Sequence, residues 1–187
     1  EIFAESGFAG ARVDEIAKRA GVNKAMIYYR IGDKKALYVE VLHDVFGDTA
    51  SRISADIRDD HSPEEKLMSY IRILSDTMGL HPHLPNIMMQ EIASGGSNFT
   101  EVVGLVKVLM ILTKILQEGA EKGIFIQTDP LILHMMIAGA IVFHKASLPI
   151  REKHFPLAFG KLKDSVRRST KDAALEVERI VLHAVKV

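Results

Sequence analysis

The sequence predicts an all-α protein, and three observations carry this prediction. Apolar residues recur at helical spacing along most of the chain, whereas no segment of any length alternates as a strand would. Of the 187 residues, 48% are hydrophobic and only 6% aromatic, without Trp. Helix starts are clearly marked, as at Ser62-Pro63-Glu64-Glu65, a capping box with proline at the first helical position. We expect about nine helices.

Composition narrows the function classes. The chain has no Cys, which excludes disulfides and thiol chemistry and fits a reducing, cytoplasmic setting. No signal peptide is visible, and the longest apolar run, residues 131–143, is interrupted by His134 and is too short to span a bilayer. Because the chain opens at Glu1 inside a helical pattern, we expect the natural start to precede it. The net charge is zero, yet residues 12–35 carry seven basic and three acidic side chains. Such a local cationic patch has affinity for phosphate.

The stretch 12–35 reads as two short helices joined by a glycine turn. Val13, Ile16 and Ala17 fall on one apolar face, Gly21 stands where a helix end needs positive φ, and Asn23 is a good N-cap. The second helix, residues 24–30, combines cations, tyrosines and a small residue within about two turns. We expect its inward pair to be Ile27 and Ile31.

This combination suits a helix that enters the DNA major groove. Small residues let the backbone approach base edges, lysine and arginine reach guanine or phosphate, and tyrosine hydroxyls donate to phosphate oxygens. An ordinary αα-hairpin with solvated charges would show the same spacing. Spacing by itself does not separate the two interpretations.

A longer pattern that starts at Phe3 does separate them. Its positions are Phe3, Ala4, Gly7, Phe8, Ile16, Ala17, Ala20, Gly21, Val22, Tyr28, Tyr29, Lys34 and Leu37. This ordered pattern resembles the N-terminal domain of the TetR family of transcriptional regulators. Three positions depart from the family pattern. Ala11 and Arg12 stand where the family has a capping Ser or Thr, Arg30 replaces a frequent His, and Ile31 replaces an aromatic residue.

The resemblance covers the N-terminal part residue by residue and the remainder only in helix order. It implies a three-helix helix-turn-helix DNA-binding head at residues 1–45 and a ligand-binding and dimerisation body at residues 46–187. It also implies a homodimer that binds a palindromic DNA operator through recognition helices about 34–36 Å apart. In such a dimer the last two long helices, residues 131–147 and 171–187, form a four-helix bundle with their copies. Repression is the family's usual mode, and a small apolar ligand would release the operator by shifting the helix at residues 33–57.

Two sets of side chains are the candidate DNA contacts. Base edges are assigned to Lys24, Ala25, Met26, Tyr29 and Arg30. Phosphates are assigned to Arg12, Asn23, Tyr28 and Lys34. Lys34 lies in the first turn of a helix, where the helix dipole disfavours a cation, so a phosphate partner would explain it.

The effector-site candidates follow from the methionines, which fill irregular spaces and tolerate varied apolar partners. They are Met88, Met89, Ile92, Met110, Leu112, His134 and Met136. Ordinary core filling is the alternative for each methionine, and a satisfied core or interface histidine is the alternative for His134 and His144. His81-Pro82-His83 could hold a metal, but its proline favours a plain turn, so we expect neither metal nor cofactor.

Other classes of function fit less well. A helical carrier or sensor of apolar small molecules without DNA binding is the alternative function. An enzyme is not expected, because the sequence offers no catalytic carboxylate pair, nucleophile elbow or phosphate loop. Within the body, the sequence predicts a helix at residues 100–122 that is buried nearly all round, and an irregular segment between Pro149 and Pro156.

Overall fold

The computed structural model describes residues 1–96, 98, 102–158 and 168–187, with side chains described except at residues 155–158. Within these ranges it holds ten helices and no β-strand, only an isolated bridge between Phe125 and Lys186. The all-α prediction is therefore confirmed. The helices are α1 Ile2–Gly10, α2 Val13–Ala20, α3 Lys24–Arg30, α4 Lys34–Asp56, α5 Pro63–Leu80, α6 Leu84–Ala93, α7 Val103–Glu121, α8 Pro130–Ala146, α9 Leu148–Ala158 and α10 Thr170–Val185.

Helix starts follow the capping residues that the sequence marks. Asn23, Asp33 and Asp129 each accept a hydrogen bond from a backbone amide of the following turn, and Ser62 forms the expected capping box with Glu65. The N-cap position of α2 is different. Arg12 makes no capping side-chain bond there, so the departure from the family pattern leaves α2 without a side-chain cap.

The main core runs from α1 to α10 and is crossed by α4. Tyr38, Leu42 and Ile53 of α4 are fully enclosed, and α4 packs most extensively against α7. At this crossing the helix backbones touch, since a Cβ atom added at Gly104 would lie 2.7 Å from the backbone nitrogen of Gly47. A glycine is therefore required at position 104.

Three expectations about individual segments are wrong. α7 is not buried all round, because Val103, Val106 and Met110 are exposed along one side. The segment between Pro149 and Pro156 belongs to α9, since a proline is tolerated in the first turn of a helix. Ile31 is 38% exposed at the end of α3, so Ile27 has no inward partner four residues on.

The boundary predicted at residue 45 falls inside α4, which continues without interruption from Lys34 to Asp56. α1 also packs on α6 and shares the main core through Ile2, Phe3 and Ala4. The division into residues 1–45 and 46–187 stays a prediction. In the described ranges, no single helix is long and apolar enough to cross a bilayer, although α8 and Leu148–His154, which meet at 55°, qualify together by length and composition.

Candidate DNA-binding surface and ligand cavity

The turn between α2 and α3 is built by Gly21. Its φ of 67° is left-handed, and the amides of Gly21 and Val22 donate to the carbonyls of Lys18 and Ala17. These paired bonds are those of a Schellman motif, which closes a helix end and reverses the chain. Asn23 then starts α3 by accepting from the amide of Ala25 at 2.8 Å. The chain therefore enters α3 in a fixed direction.

A small separate core holds α3 against α2. Ile27, 8% exposed, packs with Val13 and Ala17, and partly buried Ile16 and Leu37 close the sides. Ile27 is the only residue of α3 that is buried. Everything else on this seven-residue helix is consequently available to a partner.

The structure places every predicted base-edge residue of α3 at the surface. Tyr29 is 90% exposed, and Met26 and Tyr28 are about half exposed, at 48% and 46%. The exposed side chains that share this surface are Asn23, Lys24, Ala25, Met26, Tyr28, Tyr29 and Arg30. We call this set the α3 surface. Their roles at DNA stay predictions, and their joint exposure satisfies the geometric requirement.

Asp14 of α2 lies beside two of the residues predicted to contact DNA, Lys24 and Arg12. Asp14 pairs with Lys24 at 2.5 Å and lies 4.0 Å from the Arg12 guanidinium, with all three side chains largely exposed. The hydrogen bond from Lys24 lowers the pKa of the Asp14 carboxyl and raises that of the ammonium. Lys24 also lies 5.6 Å from the Tyr28 ring centroid. Phosphate must therefore compete with Asp14 for these cations.

Lys34 has partners inside the protein. Its ammonium donates to the carbonyls of Ala9 and Ala11 at 3.2 and 3.1 Å and lies 4.7 Å from the Phe8 ring centroid. A cation at the carbonyl end of α1 is favourable, which explains the residue without a phosphate. A third N–H remains for a phosphate, so the predicted contact stays open as a proposal.

A nearly enclosed cavity with a volume of about 20 Å³ lies between α4, α5, α6, α7 and α8. This is close to the space of a single water molecule. Its walls are Phe46, Thr49, Leu74, Thr77, Met78, Met88, Leu105, Val108, His134, Ala138, Ile141 and Val142. The cavity is therefore apolar apart from two threonines and one histidine, and it reaches α4 on both sides of Gly47.

Hydrogen bonds organise the polar wall of the cavity. The buried Tyr70 hydroxyl lies 2.7 Å from His134 Nδ1. Thr49 and Thr77 donate to the carbonyls of Val45 and Ile73, and their oxygens are 3.1 Å apart. Neither threonine was among the effector-site residues predicted from the sequence. Each could have been found as a polar residue at a position where helical spacing predicts an apolar one. Thr49 stands between Val45 and Ile53 on α4, and Thr77 between Leu74 and Met78 on α5.

The structure does not bring the seven effector-site candidates together. Met88 and His134 share the cavity wall, whereas Leu112 is buried elsewhere in the core. Met89 lies on an open cleft beside α1 and α8. The candidates that are exposed to solvent instead are Ile92, Met110 and Met136. Helical spacing cannot distinguish an inward methionine from an outward one on a helix that is apolar on several faces.

A second buried network joins α4 to α6. Glu91, 2% exposed, accepts from the Tyr38 hydroxyl at 2.9 Å and from the Asn98 side chain at 2.8 Å. The neighbouring Gln90 side chain donates to the carbonyl of Ala4 at 3.0 Å. α6 is therefore attached by side chains to the two helices, α1 and α4, that support the α2–α3 unit.

One face of α8 is apolar and uncovered. Its exposed side consists of Leu131, Ile132, Met135, Met136, Gly139, Ala140 and Phe143. Leu175 and Ile180 on the neighbouring α10 are also about half exposed. We call these nine residues the α8/α10 face. An apolar patch without a charged member is typical of a protein–protein interface.

Two short helices joined by a glycine turn display a cationic second helix, and the helical body beside them contains a cavity. This is the arrangement of a helix-turn-helix transcriptional regulator. Comparison with known proteins gives the family. The family model described as "Bacterial regulatory proteins, tetR family" matches residues 1–41. The family model described as "Tetracyclin repressor-like, C-terminal domain" matches residues 63–172. The chain belongs to the TetR family.

Named relatives are transcriptional regulators rather than enzymes. The repressor NicS of Pseudomonas putida is 28% identical over 158 residues, which are 79% of this chain and 72% of NicS. The regulator RutR of Escherichia coli K12 is 29% identical over 139 residues, 73% of this chain and 65% of RutR. This chain thus spans just under two thirds of RutR.

Solved structures agree on the fold. FadR of Bacillus halodurans superimposes with a TM-score of 0.77 at 21% identity, over 97% of this chain and 92% of FadR. FadR of Bacillus subtilis, in complex with stearoyl-CoA, also superimposes with a TM-score of 0.77 at 21% identity, over 98% of this chain and 93% of that FadR. At such identities the likeness concerns the architecture.

Proposed function

We propose that this chain is a repressor that binds a palindromic operator as a homodimer and releases it when a small apolar molecule enters the body. The α3 surface is the observation that carries this proposal. One residue, Ile27, anchors the helix, and its cations and tyrosines project outward. These side-chain types read base edges and hold phosphates.

The α8/α10 face supports the homodimer. Burying this face against a second copy would remove large apolar side chains from water, each worth about 1.5–3 kcal/mol when fully buried. Gly139 and Ala140 allow the two copies of α8 to approach closely. A two-fold dimer then displays two α3 surfaces, which the operator requires about 34–36 Å apart.

The cavity supports release by a ligand. Phe46 and Thr49 of α4 form part of its wall, and the same helix begins directly after α3. Any molecule larger than a water must displace a wall, and α4 is the wall connected to the DNA-binding end. A coupling free energy of about 1–3 kcal/mol would weaken operator binding by roughly 5- to 150-fold. The FadR neighbour with stearoyl-CoA supports a site for apolar chains in this fold.

Selection of bound fragments from random DNA, followed by fluorescence anisotropy, tests the DNA-binding proposal. Tyr29→Ala should weaken binding to the selected site by about tenfold, because a good contact to a base edge is worth about 1–3 kcal/mol of discrimination. Leu80→Ala is the matched control, since Leu80 is also exposed but ends α5. Equal affinities of the two variants, or no selected sequence, would refute the assignment.

The dimer is tested separately. Phe143→Glu places a charge in the α8/α10 face, so sedimentation should show a monomer that no longer shifts the palindrome. Ile92→Glu, at an exposed position on α6, should leave both properties unchanged. A chain that stays monomeric without any substitution would refute this part of the proposal.

A further inference from the structure

The chemistry of the cavity wall restricts what can enter it. Resting on the proposed function, we propose that the effector is an uncharged molecule with an apolar body and one carbonyl or hydroxyl oxygen that accepts a hydrogen bond from Nε2–H of His134. None of the residues that line the cavity is charged. A buried ion without a partner costs far more than an apolar contact returns. Carboxylates and amines are therefore excluded from the interior.

The donor is identified by the Tyr70–His134 pair. Tyr70 is fully enclosed, and its hydroxyl has one recorded partner among the described residues, Nδ1 of His134 at 2.7 Å. Burial raises the pKa of Tyr70 and lowers that of His134, so both side chains are neutral near pH 7. The enclosed phenol proton is satisfied only if the phenol donates and Nδ1 accepts, and we assign this tautomer. In a neutral imidazole the other nitrogen, Nε2, carries the proton.

The two threonines cannot take the same role. The Thr49 and Thr77 hydroxyls lie 2.7 and 2.9 Å from the carbonyls of Val45 and Ile73 and 3.1 Å from each other, so each proton has an acceptor inside the protein. Thr77 also accepts from the Arg52 guanidinium at 3.5 Å. On the cavity wall, His134 is consequently the side chain with a donor for an incoming oxygen. The ring is the specificity-determining group of the site.

The side chains of the cavity wall can also move to enlarge the cavity. A cavity of about 20 Å³ is far smaller than an organic molecule, so the effector must enlarge it. Met78 and Met88 line it, and an unbranched methionine changes rotamer at low cost. The enlarged cavity then accommodates the apolar body of the effector. The single oxygen of the effector, hydrogen-bonded to His134, fixes the orientation of that body in the cavity.

Thermal-shift measurements on the full chain at pH 7.5, without DNA, test this inference with four probes of equal chain length. These are 2-decanone, 1-decanol, decanoate and decylammonium. The two neutral probes should raise the melting temperature, by an amount that grows with the logarithm of probe concentration over Kd, and the two ions should not. His134→Leu should weaken binding of 2-decanone about tenfold, the upper range for one neutral hydrogen bond.

Two further variants separate binding from folding. His134→Gln keeps an N–H donor and should retain affinity within about threefold, which corresponds to less than one hydrogen bond. His154→Leu removes an exposed histidine of α9 and should change nothing. The inference is overturned if decanoate binds as well as 2-decanone, if His134→Leu binds both neutral probes like the unmodified chain, or if neither neutral probe binds. Operator release is measured separately, by anisotropy of the selected DNA in the presence of 2-decanone. Binding of the probe without release would refute the repressor mechanism and leave the ligand class intact.

Discussion

The α2–α3 unit and the body differ in how they are stabilised. α2 and α3 share a core of Val13, Ala17 and Ile27. An ion pair between Asp14 and Lys24 links the two helices, and one between Arg19 and Glu5 joins them to α1. The main core extends from α1 to α10 and encloses large side chains such as Tyr70 and Leu112 completely. A region with few buried contacts opens at lower free energy than a densely packed one.

This difference indicates which region of the molecule can change its orientation most easily. The α3 surface is carried by the region with fewer buried contacts, so we expect its orientation to adjust more readily than the packing of the main core. The main core instead encloses buried hydrogen bonds, among them those of Tyr70 with His134 and of Tyr38 with Glu91. The α4 helix belongs to both regions, since it packs on α2–α3 through Leu37 and lines the cavity through Phe46.

The largest expected effect is in the body. Leu112→Ala removes a completely buried side chain and should lower the free energy of unfolding by about 4 kcal/mol. Urea denaturation measures it. Met110→Ala, two residues earlier and exposed, should cost less than about 0.5 kcal/mol. In the α2–α3 unit, Ile27→Ala should cost only about 2 kcal/mol, at the low end for such a truncation.

The same pair of variants shows whether the α2–α3 unit opens separately. Hydrogen exchange on Leu112→Ala should be faster in α5 and α7 and unchanged in α2 and α3, because these two helices exchange through an opening that leaves the main core folded. Ile27→Ala should accelerate exchange in α2 and α3. Faster exchange of α2 and α3 in Leu112→Ala would mean that the two regions unfold as one.

A pH dependence of intermediate size should come from the body. Burial, the largest cause, lowers the pKa of His134 and His144 below the ordinary 6.5, so the unfolded chain binds these protons first as the pH falls. The stabilisation is complete above pH 6.5 and is lost below it, by at most about 1.4 kcal/mol per pH unit for each histidine. His134→Gln should reduce this slope between pH 6.5 and 5. A slope that stays the same would show that His134 does not titrate there.

Lys34 separates a structural role from a DNA role. Lys34→Ala should weaken binding to all DNA sequences alike and reduce the salt slope by about one unit, because one phosphate contact is lost. Since Lys34 also holds the carbonyls of Ala9 and Ala11, the melting temperature should fall slightly. Lys18→Ala, on the exposed side of α2, is the control. A changed sequence preference, or an unchanged salt slope, would assign Lys34 to structure only.

The smallest effect is expected at Asp14. Asp14→Asn frees Lys24 and Arg12 from their carboxylate partner and removes a negative charge beside the α3 surface, so DNA affinity should rise about two- to fivefold at low salt. Glu15→Gln, whose partner is Arg19, should have less effect. Anisotropy at two salt concentrations measures both. Weaker binding by Asp14→Asn would mean that the ion pair positions Lys24 for DNA.

Local patterns predicted some features well and others poorly. The N-caps at Asn23 and Ser62 could be predicted because a capping oxygen acts within three residues of its own position. The exposure of Tyr29 followed from the small size of its helix and its polar neighbours. The outward direction of Met110 and Met136 was not readable, because apolar residues surround both in sequence.

The amino-acid sequence by itself determined the helical class, the turn at Gly21 and the composition of the α3 surface, since each depends on interactions between residues a few positions apart. Only the tertiary structure decided that Lys34 caps α1, that Glu91 joins α6 to α4, and that Thr49, Thr77 and His134 meet around one cavity. These contacts join residues that are more than twenty positions apart. Their partners are chosen by packing, which no local pattern encodes.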